Sequence, residues 1–416
     1  MNITVNPSGL KGCVEAPPSK SLTQRAIVAG LLAGGATVIH NPSFCNDSIA
    51  AMNMVQALGA TVIRQKERII ITADGKPSGP VTMNCGESGL ALRMFAPVAT
   101  LLSESVTFTG EGSLLRRPVN MISEALSQLG VKVETTGGLL PLKLSGRLGP
   151  GRAFIDGSSG SQLLTGLLMA LPMADGESRI EVANLTSKPY IGLTLELLAD
   201  FGIMVENDGF RSFIIPGNQA YRAHEYAVEG DWSGAAFLLV AGATAGRVTV
   251  DGLNPWSMQA DRSVLQVLDE AGVSLVTGPC GITSSRSELR PFIFDASDAP
   301  DLFPPLAALA ARCEGTSRIR GVGRLRHKES DRAEAIAGVL EAMRIRVNFS
   351  GDEMLITGGR VYGTSVSSHN DHRIAMMAAV MAASATSPVT ITGADAVSKS
   401  YPGFYDDLAA LGAAVC

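Results

Sequence analysis

Twelve basic residues of this chain, Lys20, Arg25, Arg93, Arg116, Arg117, Lys188, Arg324, Arg326, Lys328, Arg332, Arg373 and Lys399, fall in joining segments or first helical turns, away from the apolar stripes, although the net charge is −5. Solvation at the surface is the usual fate of any one Lys or Arg. Their return at equivalent places points instead to convergence on a small molecule carrying several phosphate or carboxylate groups. In PPSKSLTQR (17–25), Ser19 is a helix cap, Lys20 and Ser21 lie in the first turn, and Arg25 follows one turn later. GESGLALR (86–93) offers small residues ahead of an apolar helix, as a loop would where backbone must approach a ligand, though a tight strand-to-helix turn explains it as well. LLRRP (114–118) sets two guanidiniums beside a proline, and GSSGSQ (157–162) supplies hydroxyls and an amide that simple capping could also explain. In RHKESDR (326–332), a first helical turn would put Lys328 and Arg332 on one face with Glu329 about a quarter turn away. Capping and salt bridging is the competing account. Asp301, in DAPDLFPP, heads another apolar helix among these cations and is the natural base. HNDHR (369–373) brings His369 and His372 close, but the chain has five histidines and nothing nearby completes a metal site, so Asn370 or Asp371 as a helix cap is the simpler picture.

The elements that must position these residues repeat. Segments 37–63, 106–133, 179–205, 248–276, 317–347 and 389–415 recur about every 70 residues, each reading as strand, polar loop, amphipathic helix, stop and strand. Between them lie 19–34, 87–102, 159–173, 231–246, 300–315 and 370–385, each a nearly all-apolar helix opened by polar residues. A helix apolar around most of its circumference must be buried, so each unit carries an inner and an outer helix. Helix N-termini favour anions through unsatisfied N–H groups and aligned peptide dipoles, which puts the chemistry at the heads of the inner helices.

Six units in 416 residues divide most naturally into three plus three, with a break near 226–231. The composition, 46% hydrophobic and 18% charged, is that of an ordinary soluble protein, and the apolar helices are too interrupted for spanning segments. An acidic chain with no Lys/Arg run does not suit nucleic acid. Cysteines at 13, 45, 85, 280, 313 and 416 stand singly, as reduced thiols in a cytoplasm would. The start MNITVNPSGLKG reads as a strand rather than a targeting segment.

Taken together, PPSKS, LLRRP, GSQLLT, TSKPYI, APD, KESDR and NDHR, in this order and near these spacings, resemble the 5-enolpyruvylshikimate-3-phosphate synthase family over essentially the whole chain. The resemblance implies an α/β (α+β) class protein with a two-domain inverted α/β barrel-like fold, six βαβαββ units, three per domain. One domain would comprise 1–18 plus 229–416 and the other 19–228, with crossings near 17–19 and 226–231. It implies transfer of the enolpyruvyl group of phosphoenolpyruvate to the 5-hydroxyl of shikimate 3-phosphate through a tetrahedral intermediate, in a cleft between closing domains, with release of phosphate. Neither cofactor nor metal is expected, and the protein would act as a cytoplasmic monomer.

By matching motif, Lys20, Ser21, Arg25, Ser159 or Ser161, Gln162, Ser187, Asp301 and Lys328 would hold shikimate 3-phosphate. Lys20, Gly89, Arg117, Gln162, Arg332, Arg373 and Lys399 would hold phosphoenolpyruvate. Asp301 would accept a proton and Glu329 donate one, although flanking Lys328 and Arg332 favour the ionised form of Glu329, so Lys20 or Lys399 could deliver it instead. Two departures stand out: Glu87, Leu90 and Met94 replace the usual residues of a Gly-Asn-Ala-Gly-Thr-Ala-Met-Arg-Pro loop, and Gly160 replaces the first serine of Ser-Ser-Gln. The related enolpyruvyl transferase of UDP-N-acetylglucosamine would show Lys-Asn at Lys20-Ser21 and a cysteine in EGSLLRRP, which has none. A non-catalytic repeat protein that binds a phosphorylated metabolite would use the same basic loops but leave Asp301 and Glu329 without evident purpose.

Overall fold

The computed structural model describes every residue except 74, 76, 279, 280 and 327, so the Cys280 thiol and the His327 position of RHKESDR lie outside the described residues. The helices alternate in character along the chain: α1 (Lys20–Leu32), α2 (Asn46–Ala57), α3 (Gly89–Leu102), α4 (Asn120–Ser127), α5 (Gln162–Ala170), α6 (Lys188–Asp200), α7 (Trp232–Ala245), α8 (Val264–Glu270), α9 (Phe303–Ala310), α10 (Arg332–Ala342), α11 (His372–Ala383) and α12 (Phe404–Ala410). The odd-numbered helices are the inner ones. Every residue of α7, α9 and α11 is buried, and α3 is buried from Gly89 to Leu101. Ala- and Gly-rich sequences such as WSGAAFLLVAGATA permit this, because small side chains let neighbouring helices and strands approach on all sides. The even-numbered helices bury one stripe, as α2 does with Ala51, Met52, Met54 and Val55.

Capping fixes where the inner helices begin. Ser19, Ser88, Asp231 and Asp371 each accept a backbone N–H from the first turn of α1, α3, α7 and α11. Outer helices stop at a left-handed residue, as at Gly59 (φ 97°) and Gly202 (φ 79°) after α2 and α6; after α10 the same place is taken by Arg344 (φ 64°).

The sheets repeat one topology. Val81–Asn84 runs parallel to Ser105–Thr109, with the inner helix α3 as the crossover; Leu139–Ser145 then pairs antiparallel with Ser105–Thr109, and Lys132–Thr136 antiparallel with Leu139–Ser145. The same order recurs in Arg152–Asp156, Ser178–Ala183, Ser212–Ile215 and Glu206–Asp208, and again in Ile293–Asp295, Thr316–Arg320, Glu353–Thr357 and Arg346–Ser350. Each is a βαβαββ unit, a parallel pair needing a helical crossover and the antiparallel pairs closed by shorter connections.

The chain forms two compact units, one of Met1–Pro17 with Glu229–Cys416 and one of Pro18–Val228. In the Pro18–Val228 unit α3 packs on α5 and α1, and one apolar cluster runs from Leu22 to Val228. In the other, α7, α9 and α11 pack on one another. Strands Asn2–Val5 and Leu10–Glu15 belong to this second unit, pairing with Val389–Thr392 and Gly246–Asp251. Among the described residues no helix is long and apolar enough to cross a membrane.

Candidate active site

In the Pro18–Val228 unit the basic residues gather at the heads of the inner helices. Lys20 opens α1, and its Nζ lies 3.0 Å from Asp47 Oδ2 in the first turn of α2. Arg25, 1% exposed, runs beneath this turn: Nη1 donates to the Ser21 carbonyl at 2.9 Å, Nε to Thr194 Oγ1 at 2.9 Å, and Nη2 to Thr165 Oγ1 and the Tyr190 carbonyl at 3.4 Å. These partners are neutral oxygens on α1, α5 and α6. Burial pulls the Arg25 pKa down to about 10, because neutral acceptors only partly replace water around the charge. An anion arriving beside Arg25 would restore the missing countercharge.

Gly89, Arg93, Arg117 and Gln162 form a second group. Ser88 caps α3, and Gly89 is its first residue. A side chain there has no room: an added Cβ would lie 2.7 Å from Arg93 Nη1 and 2.8 Å from Arg117 Nη1. Arg93 Nη1 donates to the Gly89 carbonyl at 3.1 Å and to Gln162 Oε1 at 3.2 Å, and its Nη2 to the Pro118 carbonyl at 3.3 Å. Two guanidiniums thus lie against the N-terminal turn of a buried helix, an arrangement suited to phosphate or carboxylate. Ser161 is buried at the head of α5, whereas Ser159 is exposed; Arg93, Ser159, Gly160 and Gln162 line one pocket. Ser187, buried ahead of α6, is held at φ 57°, a left-handed conformation that serine adopts only when its surroundings impose it.

The unit containing both termini builds its cluster around Asp301, in the short turn Pro300–Leu302 that leads into α9. Asp301 Oδ1 lies 2.7 Å from Arg332 Nη1 and 3.5 Å from Lys328 Nζ, and Oδ2 lies 3.1 Å from Arg373 Nη2. Arg332, with a side chain 1% exposed, also pairs with Glu329 Oε2 and, through Nε, with Asp371 Oδ2 at 2.9 Å. Burial opposes the Arg332 charge, but Asp371, Glu329 and Asp301 outweigh it and hold its pKa above the ordinary arginine value. For Arg373 burial likewise opposes the charge and Asp301 overcomes it. Lys328 goes the other way: burial pulls it down to about 8 despite Asp301. Lys399 joins through Asn370, whose carbonyl accepts from Nζ at 2.6 Å. Behind the cluster Asp261, fully buried, accepts from Ser233 Oγ; burial, with Asp301 adding to it, pushes its carboxyl up to about 7.

One expectation about this segment needs correction. Lys328 and Arg332 do not share a first helical turn. Helix α10 starts at Arg332 because Asp331 takes the cap position and accepts the Glu334 N–H, leaving Lys328 and Glu329 in the bend before it. The two cations still meet, at Asp301. At HNDHR the cap is Asp371, which accepts the Arg373 N–H at 2.9 Å while His369 and Asn370 adopt left-handed φ of 53° and 57°. Among the described residues no group of three His, Cys, Asp or Glu could hold a metal ion.

Sequence reasoning missed several partners. Asp47 for Lys20, Thr165 and Thr194 for Arg25, and Asp371 as the counter-ion of Arg332 are 27, 140, 169 and 39 residues away from the groups they meet. Only a polar residue in an otherwise apolar helix, such as Thr165 in QLLTGLLMA, signalled any of them.

A family model described as EPSP synthase (3-phosphoshikimate 1-carboxyvinyltransferase) matches residues 5–408. The chain is 38% identical over 417 residues to a protein of Clostridium kluyveri named 3-phosphoshikimate 1-carboxyvinyltransferase, covering 99% of this chain and 97% of that one. It is 41% identical over 414 residues to a protein of the same name from Aeropyrum pernix, covering 99% and 96%. A solved structure of EPSP synthase from Acinetobacter baumannii superposes with a TM-score of 0.83 at 26% identity, covering 100% of this chain and 99% of that one.

Proposed function

The chain belongs to the EPSP synthase family, and we propose that its two clusters divide the work of that reaction, anion capture at the heads of α1, α3 and α5 and proton transfer at Asp301. It transfers the enolpyruvyl group of phosphoenolpyruvate to shikimate 3-phosphate, a step of the shikimate pathway. The observation that carries the assignment of roles is Asp301: one carboxylate, 25% exposed, is met by Lys328, Arg332 and Arg373 together. Anionic substrate groups that bind these cations compete with Asp301 for them and leave its oxygens able to take a proton.

The reaction then runs without a covalent enzyme intermediate. The methylene carbon of phosphoenolpyruvate gains a proton, the 5-hydroxyl oxygen of shikimate 3-phosphate bonds to the adjacent carbon, and the hydroxyl proton passes to Asp301. In the second step the carbon–oxygen bond to phosphate breaks, the new methyl group loses a proton and the enol ether forms. Glu329 is paired with Arg332 as it stands, so it carries the first proton only after a substrate anion has taken that guanidinium; the Lys20 and Lys399 ammonium groups are the other donors. Arg25, Ser21, Ser159 or Ser161, Ser187 and Lys328 serve shikimate 3-phosphate. Gly89, Arg117, Arg332, Arg373 and Lys399 serve phosphoenolpyruvate, with Lys20 and Gln162 touching both. Fixed cations in place of mobile water supply the countercharge that two neighbouring anions require. We place the enzyme in the cytoplasm and take it to act as a monomer, and sedimentation of the purified protein checks the second of these.

Release of inorganic phosphate from a mixture of the two substrates tests these roles. Lys20→Met, Asp301→Ala and Arg373→Ala are each expected to lower turnover by about 100-fold or more while circular dichroism stays that of the parent. Near-normal turnover in all three would overturn the assignment.

A further inference from the structure

Glu87, one of the departures from the usual loop, has a defined place. It lies in the turn between the strand Val81–Asn84 and α3, and this turn is strapped to the one that follows Ser105–Thr109. The Cys85 N–H donates to the Thr109 carbonyl at 3.0 Å and the Glu111 N–H to the Gly86 carbonyl at 2.7 Å. Asn84 adds a link through its side chain, Nδ2 donating to Glu111 Oε1 at 2.7 Å while Oδ1 accepts the Gly86 N–H at 2.8 Å. Glu87 completes the strap: Oε2 accepts the Ser113 N–H at 2.9 Å, in the short helical turn Gly112–Arg116.

The fit extends to Gly112. This residue has φ 51°, and an added Cβ would lie 2.7 Å from Glu87 Oε1 and closer still to its Cδ and Oε2, so the carboxylate occupies the volume a side chain there would need. The turn closes with the Arg117 N–H donating to the Leu114 carbonyl at 3.2 Å, and the Arg117 guanidinium rests against Gly89, two residues beyond Glu87. One short segment thus holds both ends of the arrangement, the helix head that receives the anion and the turn that delivers the arginine.

We propose that Glu87 is a positioning residue for Arg117, its carboxylate fixing the turn Gly112–Arg116 so that the guanidinium stays against the N-terminus of α3. The proposal rests on the reading that Arg117 and Gly89 bind phosphoenolpyruvate. Glu87 touches no substrate in this account. It acts by keeping a buried guanidinium in register with a helix end, where a displacement of about 1 Å is costly.

Steady-state phosphate release with each substrate varied in turn, on the parent, Glu87→Gln, Glu87→Ala, Gly112→Ala and the Glu87→Ala/Gly112→Ala double variant, tests it. Loss of a charge-assisted hydrogen bond in Glu87→Ala is expected to raise KM for phosphoenolpyruvate about tenfold, with kcat and the KM for shikimate 3-phosphate within about twofold of the parent. Glu87→Gln keeps an acceptor oxygen and stays within about threefold on every constant. Gly112→Ala expels the carboxylate and shows the same selective rise while also straining the φ 51° turn, a cost read as a lower melting temperature that the double variant shares; the KM of the double variant for phosphoenolpyruvate stays within about twofold of that of Gly112→Ala alone, because both have lost the carboxylate contact. Parent-like KM for phosphoenolpyruvate in Glu87→Ala, or a rise in both KM values that follows only a drop in melting temperature, would overturn the proposal. Absence of phosphate release from the parent would instead remove the reading on which it rests.

Discussion

At the scale of single residues, a candidate site is legible where a charge sits in an improbable place. A lysine or arginine in the first two turns of a helix that is otherwise apolar needs a partner, and Lys20, Arg25 and Arg373 are candidates on that ground. Protein partners such as Asp47 for Lys20 and Asp371 for Arg332 are not legible, because pairing across tens of residues leaves no periodic trace: Asp371 looks in sequence like a helix cap, which it is, and only the fold reveals that it also anchors Arg332. Lys328 supports a prediction of pH dependence. Burial lowers it from the ordinary 10.5 to about 8, so the free enzyme loses this charge within an accessible range. Binding of the shikimate 3-phosphate anion needs the ammonium form, and above about pH 8 the complex must take up a proton to form. Affinity is therefore expected to fall with rising pH, approaching tenfold per unit, in calorimetric titrations between pH 7 and 10. Lys328→Arg, which stays charged, should flatten the profile; an unchanged slope in that variant removes Lys328 as its source. The sign for stability is opposite. The unfolded chain binds more protons than the folded one between about 8 and 10.5, so this group's contribution to folding improves as pH rises through that window.

At the scale of elements, two periodicities told inner helices from outer ones, since a helix buried on all sides and a helix with one wet face differ in every turn of sequence. Boundaries were harder. The spacing K-E-x-x-R predicts helix over the bend that holds Lys328 and Glu329, but Asp331 takes the cap position instead, a local decision that side-chain chemistry makes rather than hydrophobic pattern. The head of α6 invites a direct test. Ser187 sits at φ 57°, a conformation that costs a non-glycine residue about 1 kcal/mol or more, and nothing in SKPYIGL announces it. Glycine would relieve that strain while losing some stability to the greater freedom of the unfolded chain. Ser187→Gly is accordingly expected to leave stability in urea unchanged or raise it by up to about 1 kcal/mol, and at the same time to weaken shikimate 3-phosphate binding by about tenfold through loss of the hydroxyl. If affinity is untouched, the strained serine is not a ligand; if stability falls well below the parent, its geometry was not strained.

At the scale of the whole molecule, the repeated βαβαββ unit raises the question of what must be present for either half to fold. The Pro18–Val228 unit is one continuous stretch, and its apolar cluster, from Leu22 to Val228, is drawn wholly from that stretch. Its last strand, Glu225–Ala227, returns to pair parallel with Val38–His40, so the first and third repeats are joined without help from elsewhere. The other unit is assembled differently. Leu10–Glu15 supplies the parallel neighbour of Gly246–Asp251, Asn2–Val5 pairs with Val389–Thr392, and the Asp231 N–H at the head of α7 donates to the Pro17 carbonyl at 2.7 Å. Removing residues 1–17 would therefore strip one strand from each of two sheets and expose their edges, whereas cutting at 18 and 228 removes nothing that the enclosed stretch needs. The polypeptide 18–228 alone is expected to melt cooperatively with native-like circular dichroism. The polypeptide 229–416 alone should show loose, non-cooperative unfolding, and regain a sharp transition when residues 1–17 are fused back through a flexible linker. The linker has only to join Pro17 to Glu229, and Asp231, two residues further on, already bonds to Pro17, so a few glycines suffice. Cooperative melting of 229–416 without the N-terminal strands would show that they decorate that unit rather than complete it, and failure of 18–228 to fold would show that its core is not self-sufficient.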